Sequence, residues 1–317
     1  MNSYTFGPLN EYRVVVANDG HSRARALSLV YGVYLAAGLT APRASRMILS
    51  CHDAVPDSTA FLVERLDTGS KASAVASLSL VPDSTLGLPM DESEHPRLAQ
   101  LRSEGRRLVE LVKLATVGAT EQAWSKRHRP RELILRHLFK LAYLTARHIE
   151  KATDLIIAVA PPQEHYFRNV LLFESLSGAP DAVREKSSLS VPLRLRLDEA
   201  EQRFESRYGP KSGSGNLFRF FVGPRNAETL LWLKSVRHRL GAKDVHYLFT
   251  ERSQLLKKAD EATRRALVSF YPALADPAAM HWKTEGPSPY GVSGDLNPRG
   301  SKGTRPFRAQ RPVFDTQ

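Results

Sequence analysis

The chain of 317 residues has a single cysteine, Cys51. That excludes a disulfide framework and a thiolate metal cluster. Its ten histidines include no pair at zincin spacing. His137 and His148 fall roughly on one face of a predicted helix, but too far apart to share an ion. No metal site is expected. No apolar run reaches the roughly 18 to 20 residues of a membrane span. Residues 1–9 carry neither the basic nor the apolar segment of a secretion signal. Residues 212–216 (SGSGN) lack the spacing and the lysine of a nucleotide-binding loop and read as a linker. Acidic residues are also scarce, 33 against 45 Lys and Arg, for a net charge of +12. Such a balance suits an acidic partner (nucleic acid, an anionic membrane or an acidic protein) without choosing among them. The expected location is the cytoplasm.

Apolar residues make up 42% of the chain, enough for a sizeable core. The run 11–17 (EYRVVVA), closed by Asn18, Asp19 and Gly20, predicts a strand. Ala26, Leu29, Val30, Val33, Tyr34 and Ala37 then recur at helical spacing, with Gly38 at a C-cap position. Residues 60–66 and 74–81 read as a hairpin, and 82–100 as a long loop. Strands are predicted over 108–116, 154–160 and 188–197, with Pro192 marking an edge or bulge. Helices are predicted over 131–151 and 165–172. Mixed hairpins and crossovers imply a mixed α/β sheet. Beyond residue 198 helical periodicity dominates over 199–208, 226–240 and 251–270. Residues 218–222 and 244–249 fit either strands or short apolar turns. From 276 onward Gly and Pro dominate, which predicts a disordered basic tail. The domains are thus 1–197, 198–275 and 276–317. Truncation after Ala278 is expected to leave catalysis unchanged in a turnover assay, because that tail has no periodic apolar set to offset its ordering entropy.

Glu110 lies between Leu108-Val109 and Leu111-Val112 on an apolar strand. A buried carboxylate is costly unless paired, hydrogen-bonded or protonated. The residues leave two readings open: a general base or amine anchor, or a structural ion pair with Lys113 or Arg107. The basic stretch Lys126, Arg127, Arg129, Arg131, Arg136 precedes and enters a helix and suits an anionic ligand. The adjacent Cys51, His52 and Asp53 spell a triad, but neighbours in sequence rarely converge on one reacting atom, so a structural role is preferred.

The segments 56–61 (PDSTAF), 76–84 (ASLSLVPDS), 87–91 (GLPMD), Leu101-Arg102 and 105–110 (GRRLVE) resemble, in order and spacing, the bacterial N-acyl amino acid synthase family. These are GNAT-like acyltransferases related to acyl-homoserine-lactone synthases. The resemblance extends more weakly over 11–197. It implies a GNAT-like mixed sheet flanked by helices, to which the helical periodicity beyond residue 198 adds a mainly helical C-terminal extension. It further implies transfer of a long-chain fatty acyl group from an acyl carrier protein thioester to the amine of an amino acid. The donor would be the acyl-phosphopantetheine of that carrier, with no bound cofactor.

In the implied site Glu110 is the catalytic base. Lys113, Arg107, Tyr166 and Phe167 bind substrate, and Lys126, Arg127, Arg129, Arg131 and Arg136 dock the carrier. The strands 108–116 and 154–160 would splay to admit the thioester. Lys113 stands where the sister synthases have arginine, and Ala160, Pro162 and Gln163 replace the polar members of an Asn-Pro-Arg-His-like turn. The expected partners are the carrier protein, the amino-acid acceptor and, peripherally, an anionic inner membrane, with no specific nucleic acid. Two alternatives accompany this reading. One is an acyl-homoserine-lactone-type synthase using S-adenosylmethionine. The other is a non-catalytic basic binding module on the same fold.

Overall fold

The computed structural model describes residues 3–6, 9–66, 72–117, 129–176, 190–224, 226–237 and 239–275. The strands are β1 (Ser3–Phe6), β2 (Leu9–Val16), β3 (Thr59–Arg65), β4 (Ser73–Pro82), β5 (Leu108–Thr116), β6 (Asp154–Val159), β7 (Glu174–Ser175) and β8 (Val191–Arg196). The helices of the sheet region are α1 (Gly20–Ala36), α2 (Asp91–Ser103), α3 (Arg129–Leu144) and α4 (Pro161–Asn169). After the sheet come α5 (Leu197–Tyr208), α6 (Leu217–Phe221), α7 (Asn226–Val236), α8 (Ala242–His246), α9 (Leu255–Lys258) and α10 (Glu261–Phe270).

One sheet holds all eight strands in the order β1-β2-β3-β4-β5-β6-β8-β7. Every neighbouring pair is antiparallel except β5 with β6. Parallel neighbours need a crossover, and α3 supplies it. One layer covers the sheet through Leu138, Tyr143, Phe204 and Phe221, which pack with Val14, Phe61, Leu78, Val109 and Leu111 in the largest apolar cluster. On the other side α1 contributes Ala24 and Leu27, which meet Val245, Leu248, Phe249 and Leu267. Beside them Leu88, Met90, Leu98 and Leu101 pack on Val81, Leu108 and Ile156. The sheet is therefore covered on both faces, as the apolar runs of β5 and β6 require.

Several expectations need correction. Helix α1 buries Arg23, Ala24, Ala26, Leu27, Val30 and Tyr31, while Leu35, Ala36 and Ala37 at its end are exposed, so Ala37 is not a core residue. Gly38 does end it, at φ +70, with the Gly38 N–H on Leu35 O and the Leu39 N–H on Tyr34 O, a Schellman closure. The stretch 82–100 is not all loop, because α2 starts at Asp91. Pro96 is tolerated because the helix breaks at Glu94 and restarts, which puts the proline in a first turn. The predicted helix 131–151 leaves α-geometry at Thr145 in one π-helical turn, Thr145–Ile149. Residues 218–222 and 244–249 are helical rather than extended. Pro192 sits on β8, whose outer neighbour β7 is only two residues long, so the strand is nearly an edge.

Residues Met1–His281 form one compact unit. The expected boundary at 197/198 falls at the start of α5, and the following helices pack back on the sheet region. The Asn18 side chain donates to Val236 O (2.7 Å), Asp244 accepts from the Gly20 N–H (2.7 Å), and Arg237 pairs with Glu150. The tail expected over 276–317 lies outside the described residues. No described helix is long and apolar enough to cross a membrane.

Candidate active site

Two irregularities in β5 create the site. First, its pairing with β6 stops at Leu111 opposite Ile157, while β5 continues beside β4 to Thr116 and β6 continues beside β8 to Val159. The two parallel strands therefore part, leaving backbone groups of β5 beyond Leu111 without β6 partners. Second, the β4–β5 register shifts between Ser77 and Ser79, opposite Lys113, whose φ is +56. A bulge at this point turns the strand and re-aims the residues beyond it.

The parting opens on an apolar pocket lined by Leu78, Leu111, Leu114, Leu135, Phe139, Ile157, Tyr166, Phe167 and Leu171. A second, neighbouring pocket shares Leu114 and Leu135 and adds Tyr34, Leu39, Thr116, Arg131 and Gln163. The Arg131 Nε donates to Thr116 Oγ1 at 2.9 Å there, and burial lowers the guanidinium pKa. Together they form an apolar slot with a polar mouth.

Alternation along β5 puts Val109 and Leu111 in the layer with α3, and Leu108 with Met90 and Leu88 in the other. Glu110 belongs to that second side. It is 4% exposed, and its Oε2 accepts the Met90 N–H at 2.8 Å. Burial pushes its carboxyl up to about 7, against the pull of that hydrogen bond.

The GLPMD motif has a mechanical reason here. Gly87 sits at φ +67, and a Cβ there would come within 2.7 Å of the Asp91 carboxylate. Asp91 accepts the Leu88 N–H at 2.7 Å and both Nη groups of Arg102 (2.7 and 2.6 Å), while Arg102 also chelates Asp83. The loop is thereby closed so that Met90 presents its N–H to Glu110.

Lys113 does not pair with Glu110. Its ammonium lies 2.6 and 2.7 Å from the two carboxylate oxygens of Asp53 and 3.5 Å from Ser50 Oγ. Asp53 is 1% exposed and also accepts the Ser50 N–H at 2.8 Å. The pair ties the one-turn 3₁₀ helix Cys51–Ala54 to the bulge of β5.

The other predicted residues separate. Tyr166 and Phe167, on α4, stand in the wall of the apolar pocket. Arg107 is exposed, donates to Lys151 O at 2.7 Å and lines a different groove with Asp57, Asp83 and Glu150. It joins neither Glu110 nor the apolar pocket. Arg136 forms an ion pair with Glu132, one helical turn earlier on α3. Arg129 begins α3. Lys126 and Arg127 lie outside the described residues. No group of potential metal ligands occurs among the described residues.

Arg23 escaped the reading of the sequence. Its guanidinium is 2% exposed and reaches Ala17 O (2.9 Å) and Ser58 O (3.2 Å), with Asp53 as the leading charge acting on it. The signal was available: Arg23 shares the i, i+4, i+7 register of Leu27 and Val30, and an arginine on a core face needs a reason.

A thioester can enter the parted strands with its alkyl chain in the apolar pocket, while an amine approaches from the side of Glu110. Backbone N–H groups of β5 that have no β6 partner can then meet the carbonyl oxygen. Such an arrangement defines a GNAT-like acyltransferase. More particularly, the chain belongs to the family of N-acyl amino acid synthase FeeM, whose model matches residues 25–196. It is an N-acyltransferase.

Among solved structures it is similar to FeeM, an N-acyl amino acid synthase from uncultured soil microbes. The two share 22% identity over 60% of this chain and 93% of that one, with a TM-score of 0.46. The AHL synthase LasI is similar at 16% identity over 64% and 98% of the two chains, TM-score 0.40. The CoA-dependent acyl-homoserine lactone synthase BjaI is similar at 15% over 60% and 87%, TM-score 0.38. No curated protein matches the chain.

Proposed function

We propose that this enzyme transfers a long-chain fatty acyl group from the phosphopantetheine thioester of an acyl carrier protein to the α-amine of an amino acid. The observation that carries the reading is Glu110, a buried carboxyl held near pKa 7 beside parted strands that lead to an apolar slot. An α-ammonium must lose a proton before it can attack a thioester, and a base with a pKa near the working pH removes it most effectively. The amine nitrogen then bonds to the thioester carbon, the carbon–sulfur bond breaks, the leaving thiolate takes up the nitrogen's second proton, and the developing oxyanion is stabilised by backbone N–H groups at the parting. No covalent enzyme intermediate is required.

The carrier as donor is supported by the chain between β5 and α3, which has Lys126 and Arg127, followed by Arg129 at the start of α3, in place of a glycine-rich pyrophosphate loop. An acidic carrier suits that run. The test supplies the purified enzyme with a long-chain acyl carrier protein or the same acyl-CoA, together with each amino acid in turn, and identifies products by mass spectrometry. Product from the carrier donor supports the reading, whereas faster transfer from acyl-CoA refutes the donor assignment. Reversing the charges of Lys126 and Arg127 is expected to slow the carrier reaction, most at low salt, because exposed charges are screened over about 8–10 Å near physiological ionic strength.

The slot also sets an expectation for chain length. Leu135 belongs to both pockets, so Leu135→Trp should obstruct their junction. Competition between long and short acyl donors should then shift toward the short chain by about 10-fold or more, the scale on which a filled apolar site discriminates. An unchanged product ratio would place the acyl chain elsewhere.

A further inference from the structure

We propose that the groove where β5 begins is a second binding site, for a small zwitterion with the chemistry of a free amino acid, its carboxylate on Arg107 and its ammonium on Glu150 and Asp57. The groove holds about 490 Å³, within the range of small-molecule sites. Pro82, Leu108, Val109 and Ala152 supply its apolar lining. It shares no lining residue with the two pockets at the parted strands. Val109 also belongs to the α3 layer, the side of β5 opposite Glu110. A ligand held here is therefore apart from the thioester and from the proposed base.

Arg107 calls for the anionic half of the ligand. Its Nε is fixed on Lys151 O at 2.7 Å, while its terminal Nη groups have no hydrogen bond or ion pair among the described residues. Other charges of the lining are engaged: Arg106 by Asp154 and Asp198, Asp83 by Arg102, and Asp57 by Arg237 and Arg239. A guanidinium anchored through Nε still presents the edge between its Nη groups, which matches a carboxylate.

Glu150 calls for the cationic half. Its side chain is 13% exposed and pairs with Arg237, which Asp57 also uses. Burial, with the charge of Asp57 added, pushes the Glu150 carboxyl up to about 7 although Arg237 pulls the other way. An ammonium beside the two carboxylates adds the positive charge that Glu150 lacks. One backbone irregularity sets both poles. The π-helical turn Thr145–Ile149 runs into Glu150, whose N–H bonds Thr145 O, and Lys151 follows at φ +55 with its carbonyl on Arg107. Single π turns and left-handed residues other than glycine are uncommon and concentrate at functional sites.

The test titrates the full chain with each of the twenty amino acids by calorimetry, with no acyl donor present. Wild type, Arg107→Gln and Glu150→Gln are compared, and melting temperature checks that each is folded. At least one amino acid is expected to lose affinity in both variants by about 10- to 100-fold, the scale of a lost hydrogen bond to a charged group. That amino acid is then replaced by its two halves, the amine lacking its carboxyl group and the carboxylic acid lacking its amine. Arg107→Gln should weaken the acid and spare the amine, and Glu150→Gln should weaken the amine and spare the acid.

If no amino acid loses affinity in the folded variants, the proposal falls. It falls equally if either variant weakens both halves alike, as a structural defect would. An acceptor KM that rises in step with these losses would make the groove the acceptor site itself and refute a second site. Because the binding is read without donor, it is independent of acyl transfer: absence of product beside an intact groove pattern would refute only the proposed function.

Discussion

Glu110→Gln should lower turnover by about 10²- to 10⁴-fold, the range of a lost general base, and should make the folded protein more stable above pH 7. Both effects come from one carboxyl. With its pKa near 7, wild-type kcat/KM should rise with pH through that value, because only the carboxylate accepts a proton; the variant should lack this limb. Stability runs the other way. The folded carboxyl binds its proton more tightly than the unfolded one, whose pKa is near 4.5. Its contribution to stability is therefore full below about pH 4.5 and is lost as pH rises through 7.

The difference is at most roughly 3 kcal/mol at alkaline pH, from 1.36 kcal/mol per pKa unit. Glutamine never ionises and keeps an oxygen for the Met90 N–H, so it avoids that loss. Denaturant melts of parent and variant at about pH 5 and pH 8.5, with kinetics at each, separate the roles. A folded variant with near-normal turnover would make Glu110 structural. Loss of turnover without the alkaline stability gain would mean that the carboxyl is not desolvated as described.

Asp53→Asn should cost about 3–5 kcal/mol of folding stability, because it leaves the Lys113 ammonium buried without its counter-charge. Lys113 is 8% exposed and Asp53 1%, so solvent offers little relief. The amide also weakens the bond to the Ser50 N–H that starts the 3₁₀ turn. A loss of this size is a large share of the 5–15 kcal/mol typical of a domain. Lys113→Met should be costly for the mirror-image reason. The double variant should lose less than the sum of the two, since it leaves no unpaired charge. Urea denaturation of the four proteins measures the coupling. Additive losses would show that the two side chains do not act as a pair.

How much was legible in the sequence differs from element to element. Strand β5 was read at its exact span, 108–116, because β-branched and apolar residues on both faces declare a central strand. Glu110 stood out for the same reason, a carboxylate in an apolar run. Helix α2 was missed because Pro96 and the polar run Asp91–His95 before it hid the periodicity, and its N-cap, Met90, carries no capping side chain to announce it.

What the sequence by itself determined was therefore local: periodicity, glycine and proline positions, the buried carboxylate and the motif spacing that marks the family. Only the tertiary structure decided which charges meet. It gave Lys113 to Asp53 rather than to Glu110, sent Arg107 to another groove, and put Tyr166 and Phe167 in the wall of the apolar pocket. The physical reason is that a strand's alternation fixes the face of a side chain, while its partner is set by whatever long-range packing brings within about 3 Å. For Lys113 and Asp53 that packing spans sixty positions of chain.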